Sequence, residues 1–268
     1  MDCRKLRRQI AGFLFPSFPS LYVLRITFYV NSQMSFSTVL YEKEGSLAIV
    51  SLNRPRMLNA YNVEMRDDLY QIFLAVRDDP EVRVMILRGE GPAFSTGGDV
   101  SEFGSAPSPV GAREIRWRRD VWGMLLRLPQ PTIAAVHGYT VGGGMEMALL
   151  CDLCIAADDT IFFLPESGLG MIPGVVGTQT APRAIGLGRA LDMVLTGKRV
   201  NAQEAVQIGL ANRIVSRETL LTETKALAYT LAQHDPRIVA LAKRAVRLGS
   251  DLSLTEGLQL ERRLFALI

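Results

Sequence analysis

The chain has 268 residues, with 30 Lys and Arg against 27 Asp and Glu and a formal charge of +3. A hydrophobic content of 48% supplies a substantial core and excludes a disordered protein. The charge is unevenly placed: residues 1–33 hold five basic residues (Arg4, Lys5, Arg7, Arg8, Arg25) against Asp2, leaving a near-neutral body of 25 basic and 26 acidic residues with no basic stripe for a nucleic acid.

The first segment starts basic and then runs uncharged from Gln9 to Leu24, interrupted by Pro16 and Pro19. A spanning helix needs roughly 20 apolar residues, so this run is a poor one. No small-x-small cleavage site follows it. Residues 1–33 therefore read as a poorly ordered extension outside the fold, with Met34 as an alternative start. A mitochondrial transit segment and a secretion or membrane segment stay open as alternatives.

Ser37–Tyr41 and Leu47–Leu52 read as two strands joined at Glu44-Gly45. A helix follows, capped by Asn62, with Met65, Leu69, Ile72, Phe73 and Val76 at helical spacing and Pro80 closing it. Val82–Leu87 is a continuous apolar run, the pattern of a buried strand. Residues 89–111 read as a Gly/Ser/Pro-rich loop, and one helix is expected from about Arg113 to Leu128. Thr132–Val136 is a second buried strand, Gly138–Gly144 a Gly-rich turn and Met145–Cys151 a helix. Leu153–Ala156 and Ile161–Leu164 read as short strands, and Gly168–Gly177 as another Gly-rich loop. Asn201 caps a helix that Gly209 ends, Arg213–Val215 is a last strand, and three helices fill the remainder. Strands alternating with helices, then a run of helices, predict an α/β core with a helical C-terminal part.

Cys3, Cys151 and Cys154 offer no disulfide framework. Cys151 and Cys154 form a lone C-x-x-C, which reads as two small buried side chains rather than a redox or zinc motif. Two histidines, His137 and His234, cannot build a multi-histidine metal site.

Three segments share a design in which a buried strand runs into a Gly-rich turn: Phe94–Asp99, His137–Glu146 and Leu164–Gly174. Such turns let a ligand approach backbone N–H groups, and a helix beginning near Gly142 would aim its first N–H groups outward. Two donors from different turns could hold a developing oxyanion; the plain alternative is that the glycines only make tight turns. Glu146 and Glu166 each lie beside a Gly-rich turn and a strongly apolar segment. Two carboxylates in one dry site cannot both ionise easily, so acid and base roles would separate. A helix N-terminal charge and a surface loop residue are the competing readings. A dinucleotide fingerprint is absent, since Gly168-x-Gly170-x-x-Pro173 and Gly186-x-Gly188-x-x-Leu191 both lack the third glycine.

These motifs, in this order, resemble the enoyl-CoA hydratase/isomerase (crotonase) family from about Ser37 to the C-terminus. The resemblance rests on Leu52–Pro55 with Leu58–Ala60, Phe94–Asp99, Ile133–Gly138 with Gly142–Glu146, Cys151–Leu153, Pro165-Glu166, Gly170–Gly174 with Gly177–Gln179, Leu195–Gly197 and Ala202–Ala205. It implies a crotonase-like spiral of repeated ββα units with a helical C-terminal region. The implied division is an extension at 1–33, a core at 34–215 and a C-terminal helical region at 216–268 that stops short of the family's usual helical tail.

The resemblance also implies an enzyme acting on acyl-CoA thioesters, with Gly98 and Gly143 as the oxyanion-hole donors. Hydratases of the family carry both glutamates, matching Glu146 and Glu166, which favours a carbon–oxygen lyase that hydrates a 2-enoyl-CoA. Glu146 would activate the water and Glu166 deliver the proton. CoA binding would involve the turn with Arg56, Met57 and Leu58, and the loop with Thr96 and Asp99. No cofactor is implied beyond the coenzyme A of the substrate, and no membrane or nucleic-acid partner. A homo-oligomer, trimer or hexamer, is expected in the cytoplasm, or in the mitochondrial matrix if residues 1–33 are a transit peptide. Thr96-Gly97, Val176-Gly177 and Thr180 depart from the family pattern and bear on the acyl pocket. Double-bond isomerisation, a non-catalytic or RNA-binding relative, and a dinucleotide oxidoreductase are the alternatives.

Overall fold

The structure, a computed structural model, describes residues 36–106 and 108–268. The expectations for residues 1–33, and for Cys3 among them, lie outside the described residues.

Six strands form the main sheet, in the order β1 (Val39–Glu44), β2 (Leu47–Leu52), β3 (Val84–Gly89), β4 (Thr132–Val136), β6 (Leu153–Ala157) and β9 (Arg213–Val215). β1 and β2 form an antiparallel pair, and every other neighbour in this sheet is parallel. The apolar runs are continuous because both faces are covered. One face carries Leu47, Ile49, Val84, Ile86, Ile133 and Ile155, packed with Leu220 and Ala228 of the helix Leu220–Ala232. The other carries Val50, Leu52, Met85, Leu87, Ala134 and Val136.

Helix α1 (Val63–Asp78) covers this second face with Met65, Leu69, Ile72, Phe73 and Val76, all fully buried. Each such side chain contributes about 1.5–3 kcal/mol relative to exposure. Asn62 caps α1 as expected, its side chain accepting the Met65 N–H at 3.0 Å.

A smaller sheet joins β5 (Tyr139–Val141), β7 (Ile161–Phe163) and β8 (Val200–Asn201). β7 is the strand expected at Ile161–Leu164, whereas β5 and β8 are not expected, because strands of three and two residues are too short to show a pattern. The segment expected as a plain turn at Gly138–Gly144 therefore contains β5, and helix α4 (Gly143–Leu150) starts inside it.

Further differences have local causes. The helix expected over 113–128 is two helices, α2 (Pro109–Arg118) and α3 (Val121–Leu126), because the Asp120 side chain accepts the Gly123 N–H and caps a new start. Pro109 opens α2 within the stretch expected as loop. β1 runs to Glu44 because its register with β2 pairs Glu44 with Leu47. β3 starts and ends two residues later than expected, since it pairs through Leu52 with Gly89.

Asn201 and Gly209 bound the helix Ala202–Ile208, and Arg213–Val215 is a strand, both as expected. The last three helices are Leu220–Ala232, Pro236–Gly249 and Leu254–Phe265. Lys243 and Arg247 tie the second of them to Asp152, through contacts of 2.6 and 2.8 Å. Cys151 and Cys154 are buried and unbonded, and burial pushes the Cys151 thiol up to about 12 and Cys154 upward as well, as inert side chains require. Among the described residues no helix is long and apolar enough to cross a membrane.

Candidate active site

Ligand sites in parallel sheets form where the carboxyl ends of strands release the chain. β2, β3 and β4 are neighbours, and their carboxyl ends lead into residues 53–61, 90–99 and 137–143. These three segments are stitched together. Asn59 is fully buried; its Oδ1 accepts the Arg54 N–H, and its Nδ2 donates to the Glu90 and Ala93 carbonyls, all at 2.8 Å. Its own carbonyl accepts the Ser95 hydroxyl at 2.8 Å.

The second and third segments then run side by side. Ser95 donates its N–H to the Tyr139 carbonyl at 3.1 Å, and Val141 donates to the Ser95 carbonyl at 2.9 Å, a parallel bridge of Ser95 with Thr140. Three residues beyond that bridge in each segment lie Gly98 and Gly143. Among the described residues, neither N–H is given to a backbone or side-chain acceptor. Both glycines line a cavity of about 670 Å³.

Glu146 and Glu166 line the same cavity. Glu146 lies on α4, an otherwise apolar buried helix, and is 1% exposed. Its Oε1 accepts the N–H groups of Val175, Val176 and Gly177 at 3.1, 2.8 and 2.5 Å. Those residues lead into the helix α5 (Gly177–Ile185), so the carboxylate closes that helix's N-terminus.

Glu166 is brought to Glu146 by the small sheet. β5 and β7 are parallel with Val141 opposite Phe163, so the chain leaving β7 passes beside the start of α4. Gly142 donates its N–H to the Phe163 carbonyl at 2.9 Å. Gly142 has φ of 51°, and a Cβ there would lie 2.7 Å from Glu166 Oε1. Burial pushes the Glu166 carboxyl up to about 6, against its own backbone N–H, and the Glu146 charge adds to the rise. Among the described residues its Oε2 is buried without a hydrogen-bond partner. The site thus holds a carboxylate anchored by three donors and a second carboxyl group biased toward its protonated form.

The remaining sequence candidates separate. Thr96 and Asp99 line the cavity, whereas Arg56, Met57 and Leu58 lie outside its wall. Arg56 and Met57 are exposed on the turn Pro55–Met57. Leu58 accepts the Thr96 N–H at 3.1 Å, which binds the two loops together. Asp99 is a clamp: Oδ1 accepts from the Ser101 N–H and hydroxyl, and Oδ2 from Arg54 Nη1 at 2.9 Å. The Ser101 hydrogen bond, then the Arg54 guanidinium, hold the Asp99 carboxyl below its ordinary range.

Sequence reasoning misses Tyr61, which lines the cavity, and the 175–177 backbone that anchors Glu146. Tyr61 stands two residues beyond Asn59 in the 54–60 turn, but nothing in spacing says where its hydroxyl points. Among the described residues no three His, Cys, Asp or Glu side chains gather as a metal ion would require.

Comparison with known proteins agrees with this geometry. The family model described as enoyl-CoA hydratase/isomerase matches residues 42–268. A probable enoyl-CoA hydratase of Mycobacterium tuberculosis is 40% identical over 232 residues, covering 87% of this chain and 90% of the relative. A probable mitochondrial enoyl-CoA hydratase of Dictyostelium discoideum is 38% identical over 233 residues, covering 86% and 82%. The crystal structure of an enoyl-CoA hydratase subunit from Geobacillus kaustophilus superposes with a TM-score of 0.79 at 40% identity, covering 87% of this chain and 90% of that one. The chain belongs to the enoyl-CoA hydratase/isomerase family.

Proposed function

We propose that this enzyme adds water across the double bond of a 2-enoyl-CoA and releases a 3-hydroxyacyl-CoA. The observation that carries the reading is the meeting of two glutamates and two unengaged backbone N–H groups at one cavity. The Gly98 and Gly143 N–H groups hydrogen-bond the thioester oxygen and hold the charge that builds there. Glu146 spends Oε1 on three backbone donors, which leaves Oε2 for a water molecule. As that water's oxygen bonds to C3, Glu146 takes its proton. The π electron pair shifts through C2 toward the thioester oxygen and returns to C2 to take the proton from Glu166. The proton gained by one glutamate matches the proton lost by the other, and solvent restores the pair.

Leu169, Met171, Ile172 and Val175 supply apolar wall for the acyl chain. Coenzyme A enters as part of the substrate, and no other cofactor has a role. In this reading the turn with Arg56, Met57 and Leu58 meets the CoA moiety beside the Thr96–Asp99 loop. Assembly as a trimer or hexamer belongs to the same reading; exposed Leu187, Leu191 and Leu195 on the helix Leu187–Thr196 support it. In this reading the enzyme works in the cytoplasm, or in the mitochondrial matrix if residues 1–33 are a transit peptide.

The test is to incubate the purified enzyme separately with crotonyl-CoA and with a 3-enoyl-CoA, following hydration by mass and isomerisation by the absorbance of the conjugated 2-enoyl thioester. Gain of one water by crotonyl-CoA is expected. Conversion of the 3-enoyl-CoA to its 2-enoyl isomer without hydration of either would overturn the reading.

A further inference from the structure

Tyr61 stands at the cavity without a part in the chemistry described above. Both sides of its backbone are fixed to the turn that carries Gly98. Its N–H donates to the Gly97 carbonyl at 2.8 Å, and its carbonyl accepts the Asp99 N–H at 2.9 Å. Its ring meets Trp122 edge-on, with centroids 5.1 Å apart and planes at 66°.

The hydroxyl ends between the two oxyanion turns. A Cβ at Gly143 would lie 2.5 Å from Tyr61 Oη, and a Cβ at Gly98 would lie 3.6 Å from the same oxygen. The space that Gly143 leaves open is therefore occupied by this hydroxyl and the ring edge beside it, at the cavity that Tyr61, Gly98 and Gly143 all line. A phenol can rotate its O–H to donate toward a nearby acceptor. An enolate oxygen accepts up to three hydrogen bonds, and two backbone N–H groups fill only two of them.

We propose that Tyr61 is a further catalytic residue, whose hydroxyl donates the third hydrogen bond to the thioester oxygen as it becomes an enolate. The proposal rests on the hydratase reading of the same site. Tyr61 is held by backbone bonds and by Trp122 before substrate arrives, so little reorganisation is needed when charge develops. The donor is a side chain, so unlike Gly98 and Gly143 it can be removed by substitution.

The test uses Tyr61→Phe, which keeps the ring packed on Trp122 and removes only the oxygen. The reporter is p-dimethylaminocinnamoyl-CoA, an enoyl thioester whose absorption moves to longer wavelength as its carbonyl oxygen is hydrogen-bonded. At saturating enzyme, the red shift on the variant is expected to be clearly smaller than on the wild type. The rate of crotonyl-CoA hydration is expected to fall on the order of 10²-fold, carried by kcat rather than KM. A variant that keeps the full red shift overturns the proposal whatever its rate, and so does a wild-type enzyme that produces no shift. A purely structural role for Tyr61 would lower the fraction of active enzyme without changing the spectrum of the bound thioester. Thermal unfolding of the variant separates that case, and Tyr61→Leu, which loses ring and hydroxyl together, repeats the spectral reading. A wild-type enzyme that shifts the band yet fails to hydrate crotonyl-CoA would overturn the hydratase reading and leave the Tyr61 contact standing.

Discussion

Glu146 and Gly177 are in direct contact: the Gly177 N–H donates to Glu146 Oε1 at 2.5 Å, and a Cβ at position 177 would lie 2.9 Å from that oxygen. One atom of a buried carboxylate thus anchors the start of a helix while the other stays available to the cavity. Glu146→Gln keeps an acceptor oxygen but loses the carboxylate proposed as the base, so crotonyl-CoA hydration should fall about 10²–10⁴-fold. Glu146→Ala also strands the Val175, Val176 and Gly177 donors, each costing about 1–3 kcal/mol if left unpaired. Denaturant unfolding should therefore rank Glu146→Ala well below Glu146→Gln. Equal midpoints would show that the carboxylate does not anchor this helix.

Glu166 carries a pH signature. Its carboxyl titrates near 6 in the folded protein against an ordinary value of 4.5, chiefly because it is buried. A raised value means that its contribution to stability is full below 4.5 and is lost as pH rises through 6. Glutamine has no proton to lose. The unfolding midpoint of Glu166→Gln relative to wild type should rise between pH 4.5 and 6 and level off above. A pH-independent difference would contradict a dry acid at this position. Hydration by Glu166→Gln should fall by about 10²–10⁴-fold below pH 6, where the wild-type carboxyl holds its proton, and by less as pH rises above it.

Gly142 separates the acid from the helix start. Alanine there combines a glycine-favouring backbone, at φ 51° and ψ −126°, with a Cβ 2.7 Å from Glu166 Oε1. The backbone strain amounts to about 1–3 kcal/mol. Displacement of the acid should depress kcat by more than that strain depresses stability. Steady-state kinetics beside a melting curve gives both readings.

Asn59 holds three loops with one buried side chain. Asn59→Ala removes the donor for the Glu90 and Ala93 carbonyls and the acceptor for the Arg54 N–H. It also places alanine at φ 54°. A loss of about 3 kcal/mol or more is expected from denaturant unfolding, from the stranded groups and the backbone together. A change under about 1 kcal/mol would show that this network is dispensable.

The long elements were legible from sequence because they bury whole faces. Met65, Leu69, Ile72, Phe73 and Val76 carry the helical period, and the apolar runs of β3 and β4 carry the mark of a sheet covered on both sides. Caps at Asn62 and Asn201 were legible because capping is local chemistry. β5 and β8 were not, since their pairing with β7 is what makes three and two residues a strand. The break at Asp120 was hidden because an Asp within a helical pattern reads equally as a surface charge.

Sequence by itself determined the inventory of the candidate site: two glutamates beside Gly-rich turns, glycines at the ends of buried strands, and a motif order specific enough to indicate the family. Only the tertiary structure decided how that inventory is arranged. The Val141–Phe163 pairing brings Glu166 to the start of α4, and the Ser95–Thr140 bridge sets Gly98 level with Gly143. The 175–177 backbone claims one Glu146 oxygen and leaves the other to the cavity. Tyr61 was one aromatic residue among many until the fold set its hydroxyl beside Gly98 and Gly143. Residue type and local spacing are written along the chain, whereas contacts between segments tens of residues apart exist only once the sheet closes over its core.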